Sequence, residues 1–230
     1  MNNYRMMPLL AALATFAGLA FVGPAQAGII TTAVTVNGTE MPWNWVNLGL
    51  NTSDQFGVND GTGPVVISAT SGFAFNSGDV LTLTYLSGMV SVGSGFPNTD
   101  AKGDTALPVN AGDGSTGKPF PSFYMNPATY PINLGELVGT FANSSGAIVG
   151  TPFAVGVGPG FVTIPTGATQ LQLGINDDRF GDNTGSYCVQ ISGPGPAGVP
   201  EPSTAALCGF ALVGLGFVAY RRRAANAWRG

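Results

Sequence analysis

The sequence predicts an all-β protein, an antiparallel β-sandwich of the jelly-roll type. Short runs of alternating apolar and polar residues recur between residues 28 and about 195, enough for eight or nine strands. Turn signals rich in glycine, proline, asparagine and aspartate separate them about every ten residues. No stretch of this part has a convincing 3.6-residue period. The chain of 230 residues is 44% hydrophobic and only 9% charged. It is therefore too apolar for a disordered protein and too uncharged for an ordinary cytosolic one.

The first 27 residues have the pattern of a secretory signal peptide. Arg5 precedes an apolar run at residues 8–22, and Ala25-Gln26-Ala27 then forms a small-residue cleavage site. An uncleaved membrane anchor is the alternative, but the apolar run is short for a span. We expect residues 28–195 to be the exported β-sandwich.

The strands follow in order from residue 29. The first run ends at Asn37-Gly38, a strong hairpin signal. The run at residues 80–86 is partly apolar on both faces, which favours a position inside the sandwich. The predicted strands lie at residues 29–36, 65–69, 80–86, 135–141, 153–157, 161–164, 170–175 and 186–191.

Two further segments carry aromatic residues. Trp43 and Trp45 share one face, and we favour an aromatic wall of the core over a sugar-stacking surface. Residues 93–131 form a long connection without a sustained period, and such connections are usually functional or mobile. The aromatics of its second half should pack onto the domain; they are Phe120, Phe123, Tyr124 and Tyr130.

Charge and residue usage exclude several functions. Residues 28–195 contain three basic and eleven acidic side chains, so 3 − 11 = −8, which disfavours nucleic acid as a partner. The chain has no histidine, which removes Ser-His-Asp and Cys-His catalysis and ordinary zinc hydrolase sites. Cys188 and Cys208 lie in different predicted segments, so we expect no disulfide.

The chemistry is concentrated in the loop at residues 176–187, between two predicted strands. It contains Asp177, Asp178 and Asp182, with Asn183 adjacent and Gly181 allowing a reversal of the chain. Closely spaced carboxylate and amide oxygens suit calcium, which takes six to eight oxygen ligands. An exposed hairpin loop whose side chains cap their own turns fits the spacing equally well. The spacing is not that of an EF-hand.

The C-terminal end has three parts. Residues 196–203 form a linker containing Pro200-Glu201-Pro202, residues 204–220 form an uncharged predicted transmembrane helix, and residues 221–230 form a basic tail. An apolar helix of this length extends roughly 25 Å, near the minimum for a bilayer. The arginine cluster should stay in the cytoplasm; it consists of Arg221, Arg222 and Arg223.

These residues resemble the PEP-CTERM sorting signal of bacterial exported proteins. The resemblance implies recognition by an exosortase, a membrane protease that cuts near Pro-Glu-Pro. The protein would first be anchored in the inner membrane by its C-terminal helix and then pass to the cell surface or extracellular matrix. The signal is an address and indicates no activity.

Residues 60–192 resemble the bacterial calcium-dependent galactose-binding lectins, a β-sandwich family. The similar segments are residues 78–83, 135–139 and 174–187. The resemblance implies calcium ligands at Asp177, Asp182 and Asn183, the carbonyl of Arg179, and the carbonyl of Val92. The same three side chains would contact the sugar, whose hydroxyls complete the calcium shell.

This chain departs from the lectin pattern in three ways. Its loop is shorter between Asp177 and Asp182, Val92 replaces a tyrosine, and the histidine that helps to hold the sugar is missing. These departures weaken the galactose prediction more than the calcium prediction, and they leave another hexose, or no sugar at all, as alternatives.

Three functions compete. The first is a calcium-dependent module that binds an extracellular polysaccharide or a galactose-like glycan. The second is a structural matrix protein whose calcium only stiffens the sandwich. The third is a glycosidase that uses Glu136, and it is disfavoured because Glu136 has no second acid at a fixed partner position. We expect a binding protein and not an enzyme.

Overall fold

Two four-stranded antiparallel sheets make up most of the part of the chain that the structure describes. A computed structural model describes residues 27–43, 55–109, 113–125 and 132–196. Residues Ala27–Ala197 form one compact unit. The ten described strands are β1 Ile29–Asn37, β2 Val65–Ser68, β3 Val80–Ser91, β4 Asp104–Val109, β5 Ile132–Leu134, β6 Leu137–Ala142, β7 Phe153–Ala154, β8 Gly160–Thr163, β9 Gln170–Ile175 and β10 Thr184–Pro194. Short 3-10 helices occur at Ala69–Ser71 and Pro121–Tyr124.

The order of strands is β1-β10-β3-β8 in the first sheet and β2-β9-β6-β7 in the second. Strands β4 and β5 form a separate two-stranded ribbon. All the ladders within these sheets are antiparallel. The predicted all-β antiparallel sandwich is therefore confirmed.

The main core lies between the two sheets and follows from alternation along the strands. In β10, Tyr187, Val189 and Ile191 are buried, and the residues between them face outward. In β3, Leu81 and Leu83 point into the same layer. The opposite sheet contributes Ile67, Leu137, Phe141, Leu171, Leu173 and Ile175.

A second apolar cluster involves loop residues. Trp43 is fully buried, and its ring lies edge-on to Phe56 with the centroids 4.7 Å apart. Val138 of β6 and Phe180 belong to the same cluster. Trp43 is thus a core residue, as expected, whereas Trp45 lies outside the described residues. Because Phe180 lies between Asp178 and Asp182 in the sequence, this cluster anchors the acidic loop.

Two strand predictions need correction. The Asn37-Gly38 turn does not form a hairpin with the next strand, because β1 pairs with β10 along its whole length. The predicted strand at residues 153–157 is only two residues long, and β8 then pairs with β3. Strand β3 lies inside the first sheet, between β10 and β8, as predicted, and its Leu81 and Leu83 are in the core. Its other face is open to solvent, since Val80 and Leu86 are both 47% exposed. Turn chemistry fixes where the chain reverses but not which strand it meets.

The connection at residues 93–131 contains more structure than its composition predicts. Strand β4 lies within it and pairs with β5, and a 3-10 helix forms at Pro121–Tyr124. Strand β4 is exposed along most of its length, so it lacks the alternation that would reveal it. Tyr130 lies outside the described residues.

Several predictions fall on other parts of the chain. The signal peptide up to residue 26, the linker beyond residue 196, the helix at 204–220 with Cys208, and the tail at 221–230 lie outside the described residues. Within the residues that are described, no helix is both long enough and apolar enough to cross a membrane.

Candidate functional site

The acidic loop connects the two sheets. It leaves β9 at Ile175 in one sheet and enters β10 at Thr184 in the other. Its first residue, Asn176, is fully buried and ties it to two other segments. The Asn176 Oδ1 accepts a hydrogen bond from the Ser122 N–H at 2.9 Å, and Nδ2 donates to the Asn133 carbonyl at 3.1 Å. The loop is therefore fixed at its start.

Asp177 is a buried carboxylate that is only half satisfied. The residue is only 3% exposed. The Oδ1 atom accepts hydrogen bonds from the main-chain N–H groups of Asp178 at 2.7 Å and Arg179 at 3.4 Å. The Oδ2 atom is buried and has no hydrogen-bond partner. Burial raises the pKa of Asp177 to about 7, although Asn183 and these N–H groups act in the opposite direction.

Asn183 presents a second unpartnered oxygen. The residue is 5% exposed, and its Nδ2 donates to the Gly38 carbonyl at 2.9 Å. Because Nδ2 is held there, the Oδ1 atom is fixed as well, and it is buried without a partner. The Asn183 side chain is close enough to Asp177 to lower the pKa of that carboxyl. Two adjacent side chains therefore each bury one free oxygen.

Asp182 and Arg179 lie at the more exposed side of the loop. Arg179 Nε is 3.9 Å from Asp182 Oδ2, and both side chains are about half exposed. The Asp182 carboxylate also lies against the backbone of Gly93, where an added Cβ would be 3.1 Å from Oδ2. Gly93 follows Val92, so the segment that carries the Val92 carbonyl reaches the Asp182 side of the loop.

Asp178 has a different role from its neighbours. Its Oδ2 accepts hydrogen bonds from the Thr116 N–H at 2.6 Å and the Ser115 hydroxyl at 3.3 Å. Its carbonyl accepts from the Val58 N–H at 3.0 Å. These contacts hold the loop against Ser115 and Thr116 and against Val58. Asp178 thus fixes the position of the loop through these hydrogen bonds.

Asp60 was not identified from the sequence, yet it supports the loop. Its Oδ1 accepts a hydrogen bond from the Phe180 N–H at 2.9 Å. Its Oδ2 lies where a side chain at Gly181 would collide, since an added Cβ there would be 2.9 Å away. The residues around it, Asn59-Asp60-Gly61, have only the composition of a turn. The contact spans 120 residues of chain, so local pattern could not reveal it.

Glu136 is buried near the loop's starting point but makes ordinary structural contacts. Its Oε2 accepts from the Asn133 N–H at 2.9 Å. Burial, with a smaller contribution from the charge of Asp100, raises its pKa to about 7, although the Asn133 N–H acts in the opposite direction. Asp100 is the acidic neighbour that the sequence did not identify. The Tyr187 hydroxyl donates to the carbonyls of both Asp100 and Gly135, which joins this region to β10.

No cluster of three or more histidine, cysteine, aspartate or glutamate side chains suited to a metal occurs among the described residues. A cation in this loop would therefore rely on amide and carbonyl oxygens besides carboxylates. Calcium accepts such mixed oxygen ligands. The free oxygens of Asp177 and Asn183 fit this requirement.

Comparison with known families locates the sorting signal. Residues 198–223 match the PEP-CTERM protein-sorting motif. The match includes the predicted Pro200, Glu201, Pro202 and the arginine cluster at 221–223, all outside the described residues. A search of curated proteins found no match. Neither result links residues 60–192 to the calcium-dependent lectins. The motif supports an exosortase substrate that is exported with a membrane-anchored C-terminal region before processing.

Proposed function

We propose that the exported domain is a calcium-dependent carbohydrate-binding module, delivered to the cell surface or matrix by its PEP-CTERM signal. Its calcium site lies in the loop at residues 176–183. The proposal is supported above all by the unpartnered, buried Oδ2 of Asp177 and Oδ1 of Asn183.

A buried polar atom without a partner is costly, about 1–3 kcal/mol for a neutral group and more for a charge. Folded proteins rarely retain two such atoms on adjacent side chains unless another group satisfies them. A cation next to Asp177 would also reverse the effect of burial, since it favours the ionised carboxylate. The side chains supply only oxygen donors, which favours calcium over zinc or copper.

The remaining ligands come from the exposed side of the loop. Asp182 is about half exposed and lies against Gly93. The carbonyls of Arg179 and Val92 complete the set that the lectin resemblance implies. Because this side is open to solvent, two hydroxyls of a neutral sugar would have access to the ion. A neutral glycan is also compatible with a domain that carries a net charge of 3 − 11 = −8.

One observation favours a second function. Asp177 and Asn183 are 3% and 5% exposed, so an ion held by both would be deep in the loop. Such an ion suits a structural role, in a matrix protein whose calcium rigidifies the sandwich without binding sugar. Both functions require calcium, and they differ only in whether the domain binds a glycan.

Two measurements separate these possibilities. Calorimetric titration of calcium into residues 28–196 should show one saturable site, with magnesium as the control cation. A glycan array should then show binding of a neutral glycan that a chelator abolishes. Absence of any calcium heat would refute the site itself. Calcium binding without glycan binding would refute the carbohydrate function and leave the structural one.

A further inference from the structure

Strand β1 is one of the two edge strands of the first sheet. It has nine residues, of which seven are β-branched, and it pairs with β10 without a register shift. It contains no charged residue and no proline. Natural sheets usually protect long edges with charges, prolines or bulges. The other edge strands in these two sheets, β2, β7 and β8, have four, two and four residues. Among the described strands, β1 is therefore the long unprotected edge.

The register shows which backbone groups are free. Antiparallel partners alternate between hydrogen-bonded and non-hydrogen-bonded pairs. The Gly195 N–H donates to the Gly28 carbonyl at 2.7 Å, and the Gly38 N–H donates to the Gly185 carbonyl at 2.9 Å. Even-numbered residues of β1 therefore face β10, and odd-numbered ones point their N–H and C=O groups outward. The Asn37 N–H agrees with this, because it donates away from β10 to Glu40 Oε2 at 2.8 Å.

We infer that β1 pairs with the β1 of a second copy of this chain. A twofold axis at Thr32 would align residue 29 with 35 and residue 31 with 33. This register uses every outward backbone group from Ile29 to Thr35, about eight hydrogen bonds in all. Centring the axis on Ala33 instead would oppose Ile29 to Asn37, whose N–H is already occupied by Glu40.

The side chains along this edge are self-complementary. On the outer face, Ile29 is 76% exposed and would pack beside the partner's Thr35. On the inner face, Ile30 and Val34 are only partly buried against the main core. They would oppose each other across the new pair, and the cores of the two copies would become continuous. No carboxylate lies within β1 itself, so the strongly acidic domains can meet there without apposed like charges.

The partner is a second copy because an isologous contact uses one surface twice. Pairing through β1 also satisfies the backbone groups of the long edge, so that only the short edge strands β2, β7 and β8 remain unpaired on one side. Growth therefore stops at two copies, with an eight-stranded sheet running through the dimer. A single strand pair is a small interface, so we expect a dissociation constant in the micromolar range.

The test uses residues 28–196, the compact unit that contains the complete core. Sedimentation velocity should show a concentration-dependent dimer. Ala33→Lys places two like charges close together across the axis and should weaken dimerisation at least tenfold. Thr163→Lys adds the same charge on the exposed edge strand β8 and should leave the dimer intact. Circular dichroism checks that both variants fold.

Cross-linking tests the register directly. In a Cys188→Ser background, Thr32→Cys places two thiols opposite each other at a non-hydrogen-bonded pair, where a disulfide can form. Val34→Cys would oppose Ile30 and should not cross-link. A monomer throughout the micromolar range, a dimer that Ala33→Lys leaves unchanged, or growth into fibres would each overturn the inference. Cross-linking at residue 34 but not at residue 32 would overturn it too.

Discussion

Replacing Asp177 with asparagine should have opposite effects with and without calcium. Without calcium, Asp177→Asn should stabilise the domain at pH 8, because the wild-type protein must bury an ionised carboxylate. With calcium present, the variant should gain nothing from the ion, whereas the wild type should be stabilised. If Asp177 did not bind calcium, the substitution would have the same effect on stability with and without the ion.

The size of the effect follows from the pKa of Asp177. Burial raises that pKa from 3.8 to about 7. One pKa unit corresponds to about 1.36 kcal/mol, so this shift means that the ionised form costs the folded state about 4 kcal/mol. This cost is absent below pH 3.8, increases as the pH rises toward 7, and is complete above that value. For a domain of this size the expected rise in Tm is about 5–15 °C. Calcium at a hundredfold excess over Kd would stabilise the wild type by about 2.7 kcal/mol.

Differential scanning calorimetry at pH 8, in chelator and then in calcium, measures both effects. Asp178→Asn is the matched control. Asp178 is 4% exposed and directly adjacent, but its Oδ2 is held by the Thr116 N–H, so the calcium-dependent increment should persist. If Asp177→Asn retains the calcium increment, or is less stable than the wild type in chelator at pH 8, the assignment of the site is refuted.

Three other substitutions test the packing around the loop. In the presence of chelator, Glu136→Gln should stabilise the domain by roughly 1–3 kcal/mol at pH 8 and by little at pH 4.5, because burial raises the pKa of Glu136 to about 7. Urea denaturation at both pH values measures the change in unfolding free energy. An equal change at the two pH values would contradict this prediction. Thr140→Val should stabilise by about 1 kcal/mol in urea, because the buried Thr140 Oγ1 has no partner. Gly174→Ala should destabilise the domain by about 3 kcal/mol or more in the same assay, because the new Cβ would lie 2.3 Å from the Met41 carbonyl carbon. A variant as stable as the wild type would show that the backbone shifts to accommodate the methyl group.

Alternation along the chain predicted the strands that build the core. In these strands every second residue is buried, as with Leu81 and Leu83 of β3 and Val189 and Ile191 of β10. The resulting alternation of apolar and polar residues is visible in the sequence. Strand β4 lacks this alternation, because most of its side chains are exposed and its pairing depends on a partner some 25 residues later. Strand partners depend on tertiary packing, which explains the wrong hairpin after β1.

The candidate loop was found from its composition, but its geometry was not. Three acidic residues within six positions indicated a cation site or a set of turn caps. Their individual roles depend on distant contacts: Asp60 holds Phe180, and Gly38 holds the Asn183 amide, 145 residues away. Such contacts leave no local pattern. The free oxygens of Asp177 and Asn183 emerge only when these contacts have been assigned.

The course of β10 has a mechanical consequence. The strand begins at Thr184, directly after the acidic loop, and ends at Pro194, four residues before the matched sorting motif. While the C-terminal region is anchored, tension between the membrane and a partner held at the loop would pass along this one strand. β10 is bonded on both sides, to β1 and β3, over most of its length. The load would therefore be carried by covalent backbone inside a sheet that resists shear, and the rest of the sandwich would stay out of the force path.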